Sequence, residues 1–111
     1  MTAILRGYDF DGVTTVGIPF VQPCVIISGR TFAEYDEHIK HYASIVPVYI
    51  RGVGNFGDSI HAGEHKAAMI NLLGVGEFFE DDPKQIEIIR KNCPKCTVFW
   101  VKSASETIKQ Q

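Results

Sequence analysis

The chain has 111 residues, 45% hydrophobic and 22% charged, with a formal net charge of −2. That is enough for one domain with its own core, spanning 1–111, and too little for two; the charge offers no basic footprint for nucleic acid. No apolar run approaches the roughly 18 residues of a membrane-spanning helix, and three cysteines, an odd number, argue against a disulfide framework and for a reducing cytoplasm.

Ala3-Ile4-Leu5 leads into Tyr8 as a first strand, closed by Asp9-Phe10-Asp11-Gly12. The opening residues lack the basic region, long apolar stretch and cleavage site of a signal peptide. Residues 12–22 read as a loop or small hairpin, punctuated by Gly12, Gly17 and Pro19. Cys24-Val25-Ile26-Ile27 is a second, fully buried strand running into Ser28-Gly29-Arg30. Thr31 with Glu34 forms a capping box, and the helix it opens places Phe32, Tyr35, Ile39 and Tyr42 on one side. Residues 46–50 are a third strand, with Pro47 near its start.

A glycine-rich loop follows, and a helix over about 64–73 ends at Gly74. Residues 75–80, VGEFFE, are a fourth strand. Asp82, Pro83 and Gln85 open the next helix as N-cap, first and third positions, and Ile86, Ile88 and Ile89 belong to it. TVFWVK is a fifth strand, and Ser103 with Glu106 opens a short last helix. This alternation predicts an α/β domain: a parallel sheet of about five strands, Rossmann-like, with helices on both faces in three layers. Strands buried on both sides should be continuous apolar runs, and these are.

In such a sheet ligands bind outside the carboxyl ends of the strands. Asp9, Asp11, Ser28, Glu80, Asp81 and Asp82 are therefore expected on one rim, with Lys66 from the helix before strand four. Several carboxylates a few ångströms apart repel by several kcal/mol at an intermediate dielectric. A hard divalent cation relieves this, and Mg2+ suits carboxylates, waters and phosphate. Ser28 can donate to a phosphoryl oxygen and Lys66 can neutralise its charge. An Asp beside Mg2+ can attack phosphorus to form an aspartyl-phosphate, and a second carboxyl two residues on can act as acid and base.

Four pieces in order resemble the motifs of the haloacid dehalogenase-like superfamily of phosphohydrolases: Asp9-Phe10-Asp11-Gly12-Val13, Val25-Ile26-Ile27-Ser28-Gly29-Arg30, Lys66, and Phe78-Phe79-Glu80-Asp81-Asp82-Pro83. The resemblance covers roughly residues 3–101. It implies a sheet of order 5-4-1-2-3, with Asp9 as nucleophile and metal ligand, and Asp11 as acid/base with its carbonyl on the metal. Ser28, Gly29 and Lys66 would bind the phosphoryl group, and Asp81 would complete the Mg2+ site. Asp81 is preferred to Asp82 because Asp82 caps the helix at Pro83; Asp82 remains a further ligand. Residues 13–23 leave room for a short flap and no cap domain, so the chain resembles a minimal, capless member. An open site favours a bulky phosphorylated substrate, or a homo-oligomer that covers it. Small molecule, nucleotide and nucleic-acid end are not distinguished.

Two other readings stand beside the Mg2+-dependent phosphatase. One is a binding or regulatory module of the same fold with slow or no turnover. The other, a phosphate-acceptor receiver domain, needs an Asp after strand three, where this chain has Arg51-Gly52. Arg30 is a candidate contact for a substrate phosphate or carboxylate. Cys93-Pro94-Lys95-Cys96 is half a zinc site without a second cysteine pair and reads as a loop. The loop 52–63 lacks the Gly-Lys-Ser/Thr ending of a phosphate loop.

Overall fold

The computed structural model describes residues 3–55 and 57–102. Five strands, β1 (Arg6–Tyr8), β2 (Cys24–Ile27), β3 (Val48–Tyr49), β4 (Glu77–Glu80) and β5 (Thr97–Trp100), form one sheet ordered β3-β2-β1-β4-β5. Counted from the opposite edge this is 5-4-1-2-3. Every pairing is parallel, and the register sets Tyr8 between Ile26 and Phe79. The carboxyl ends of β1 and β4 are thereby level, and the Asp9 amide continues the ladder onto the Phe79 carbonyl at 3.0 Å.

The period-two alternation of strands sends side chains to two cores. Val25, Ile27, Phe78 and Val98 pack under α2 (Ser59–Leu73) and α3 (Pro83–Asn92), against Ala67, Ile70, Ile86 and Ile89. Tyr8 and Ile26 face the other way, with Phe10, Val13, Val46 and Ile39 of α1 (Glu37–Ala43). Ile26, Ile27, Ile39 and Ile89 are all 0% exposed, each worth roughly 1.5–3 kcal/mol of burial. Tyr8, Phe79 and Phe99 stack across β1, β4 and β5 with centroids 4.9 Å apart in each pair.

Three expected elements differ. The capping box is present, with the Thr31 amide and hydroxyl both donating to Glu34 Oε1. It holds only a 3-10 turn, Phe32–Glu34. Asp36, five residues on, accepts from the His38 and Ile39 amides and starts α1 itself, so the second cap wins and Phe32 is left 71% exposed. The helix expected from about 64 begins at Ser59, because Asp58 caps it and Gly63 stays helical. A Cβ on Gly63 would lie 3.1 Å from Ile88 Cδ1 and 3.3 Å from Gln85 Cα; the glycine that reads as loop is the point where α3 crosses α2. Residues 12–22 form a loop, as one of the two expected alternatives had it, with a 3-10 turn at Thr14–Val16. Pro47 precedes β3, which is only two residues long. The helix expected from Ser103 and Glu106 lies outside the described residues. Among the described residues no helix is long and apolar enough to cross a membrane.

Candidate functional site

At the carboxyl ends of β1 and β4, a cleft of about 240 Å³ is lined by Asp9, Asp11, Gly29, Lys66, Asp81 and Gln85 among others. Asp9 follows β1, Glu80 ends β4 with Asp81 behind it, and Lys66 rises from the second turn of α2. One carboxylate oxygen each from Asp9, Glu80 and Asp81 lies within 4.8 Å of the others. Unit charges 4–5 Å apart repel by roughly 3–4 kcal/mol per pair at an effective dielectric of about 20.

Lys66 is 2% exposed and answers part of this. Its Nζ donates to Asp9 Oδ1 at 2.9 Å, Glu80 Oε2 at 2.7 Å and Gln85 Oε1 at 2.6 Å. Burial alone would push the ammonium towards its neutral form; the Asp9 and Glu80 carboxylates outweigh that and hold it protonated. Three carboxylates against one ammonium still leave negative charge uncompensated. Burial, and the Glu80 charge after it, raise the Asp9 carboxyl well above the ordinary range despite Lys66. Burial and then Glu80 push Asp81 up to about 6. The donors are all oxygen, hard ligands suited to a hard cation. This buried acidic cluster could hold a metal ion.

Glu80 is 0% exposed. Its Oε1 accepts from the Asp81 and Asp82 amides at 3.0 and 3.3 Å, and its Oε2 from Lys66. With both oxygens engaged, it supports the turn that aims Asp81. The Trp100 indole N–H donates to the Asp81 carbonyl at 3.2 Å, fixing the other side of the same residue. Gly12 opens the space: at φ 82, a Cβ there would stand 2.1 Å from Asp81 Oδ2, so no larger residue fits beneath the carboxylate.

Of the remaining expected site residues, Asp11, Gly29 and Asp82 also line the cleft, and Ser28 and Arg30 lie behind them. Asp11 lines the cleft, with both oxygens in the fork of Arg30 at 2.9 and 2.8 Å. Arg30 also donates to the Glu34 carbonyl, pairs with Asp36 at 3.0 Å and lies 4.9 Å over the Phe10 ring. Asp82 accepts from Lys84 N as the cap of α3, and from the Ser59 hydroxyl at 2.6 Å and Gln85 Nε2 at 3.0 Å. Ser28 is fully buried and its Oγ accepts from Arg30 N at 3.0 Å; its neighbour Gly29 lines the cleft. Cys93 and Cys96 are free thiols. The metal-capable group found among the described residues does not include them.

The sequence placed Glu80 on the rim without a role, and read Gln85 and Ser59 as helix and loop positions. Glu80 did carry a signal. It is in phase with Phe78, buried on alternating positions of β4, and a carboxylate on a buried strand face needs a partner.

Comparisons of this chain with family models, with curated proteins and with solved structures give no significant match.

Proposed function

We propose that the protein is a Mg2+-dependent phosphomonoesterase of the haloacid dehalogenase-like type, turning over through an aspartyl-phosphate on Asp9. The observation that carries this reading is the meeting of Asp9, Asp81 and Lys66, from three separate elements, at the wall of one cleft. Asp9 and Asp81 would hold the ion, with Glu80 behind them. Bound Mg2+ would neutralise the phosphoryl oxygens as a Lewis acid.

The chain's own residues would do the rest. Asp9 Oδ1 accepts from Lys66 and from the Phe10 amide at 2.8 Å, which fixes the carboxylate and reserves Oδ2 for attack on phosphorus. Gly29 lines the cleft and lets α2 come close behind it, since a Cβ there would stand 3.0 Å from Ala62 Cβ. Asp11 would protonate the leaving oxygen and then take a proton from the water that hydrolyses the intermediate. Its oxygens accept from Arg30, yet each keeps a second lone pair, so Arg30 orients Asp11 without consuming it.

A second reading, a phosphate-binding module with little turnover, is favoured by that same fork, since an Arg-clamped Asp11 is a less mobile acid. Hydrolysis of an aryl phosphate decides between them. Expected is turnover with Mg2+ that vanishes with EDTA and in Asp9→Asn. Metal-dependent phosphate binding without turnover would select the module, and undiminished activity in Asp9→Asn would remove the nucleophile.

A further inference from the structure

A lysine ammonium has three donors, and in this protein all three are engaged. Two meet carboxylates, Asp9 and Glu80, that are 4% and 0% exposed. The third meets a neutral amide, Gln85 Oε1, on the cleft wall. A phosphoryl oxygen entering the cleft can bond Lys66 only by displacing one of them. Charged acceptors bind roughly twice as strongly as neutral ones, so the carboxylates stay and the amide gives way.

Resting on the phosphoryl-transfer reading above, we infer that Gln85 is a displaceable stand-in for the substrate. It occupies the third Lys66 donor on the cleft side and yields that donor to a phosphoryl oxygen of the substrate. The other end of its amide is anchored, Nε2 donating to Asp82 Oδ2 at 3.0 Å, an oxygen that also accepts from the Ser59 hydroxyl at 2.6 Å. The amide can therefore release Lys66 while its nitrogen holds station. A carboxylate at position 85 would be a third anion on Lys66, as hard to displace as the other two, and would face Asp82 without a donor.

The test uses inorganic phosphate in saturating Mg2+, measured by calorimetry, and KM and kcat for an aryl phosphate. Thermal unfolding of each variant is recorded alongside. Gln85→Glu should raise the phosphate Kd and the KM at least about tenfold with a smaller change in kcat, the scale of a lost charge-assisted bond. Gln85→Met, which presents no acceptor to displace, should bind phosphate as tightly as the parent or more tightly. Phosphate binding weakened in Gln85→Met, or unchanged in Gln85→Glu, overturns the inference and makes Gln85 a structural prop. If Gln85→Glu does not fold, Gln85→Met decides alone. A parent protein that binds no phosphate in Mg2+ removes the phosphoryl-transfer reading itself, and this inference with it. A parent that binds while the variants rank otherwise removes only the role of Gln85.

Discussion

Asp81 is the residue on which proton and cation compete most directly. Its carboxyl, ordinarily near 3.8, is pushed up to about 6 by burial and by Glu80. Below that pH a bound cation must expel a proton; above it there is none to expel. Mg2+ affinity should therefore fall as pH drops through about 6, by up to tenfold per pH unit, and level off above. Calorimetric titrations between about pH 5 and pH 8 check this, and a flat affinity would refute it. Without the cation, stability moves the opposite way. Because the folded carboxyl titrates above its unfolded value, the contribution present below 3.8 is lost as pH rises through about 6. The position of Asp81 was legible as an acid after a strand, and Asp82 was legible as a cap from Pro83 beside it. Neither the fork between Arg30 and Asp11 nor the Lys66 contact with Gln85 was. Both join residues 19 apart in sequence, a separation at which local patterns carry no information about partners.

Among the elements, the crossing of α2 and α3 fixes the site most tightly, since α2 carries Lys66 and α3 carries Gln85 and its cap Asp82. Gly63 sets how closely they approach, with Ile88 and the Gln85 backbone directly opposite. Gly63→Val should overpack this contact and lower stability by about 1–3 kcal/mol. It should also weaken phosphate binding, because overpacking at Gly63 shifts α2 and carries Lys66, on the same helix, out of its place at the cleft. Denaturant unfolding and calorimetry read the two effects; a stable variant with unchanged affinity would show that the crossing is not tight. Sequence punctuation misled at this element, because glycines 57 and 63 look alike in a string. Gly57 adopts φ 97 in the loop, while Gly63 is helical and buried. Likewise the two caps at Thr31 and Asp36 compete over five residues, and the second, Asp36, opens the helix that buries Ile39 in the core.

At the scale of the molecule, the parallel sheet brings to one rim groups that are distant in the chain, Asp9 and Lys66 being 57 residues apart. The parallel sheet and the two-sided core were readable because the apolar strand runs alternate with helices; the strand order was not, and rested on the family resemblance. The cluster exists only in the folded state, so a cation that binds it stabilises the fold. Mg2+ at a hundredfold excess over its Kd should add about 2.7 kcal/mol, raising the unfolding midpoint by roughly 10 °C for a domain of this size. Calorimetric scans with Mg2+ and with EDTA check this; Asp81→Asn should abolish the shift, and a shift that persists there would move the ion elsewhere. The whole sequence holds one tryptophan, and its indole touches the backbone of Asp81, with the Lys102 ammonium 4.4 Å over its ring. The protein thus carries its own fluorophore hydrogen-bonded to the backbone of a residue that lines the cleft. Ultraviolet emission, free of label and of background from any second chromophore of its kind, can follow occupancy of this rim in real time.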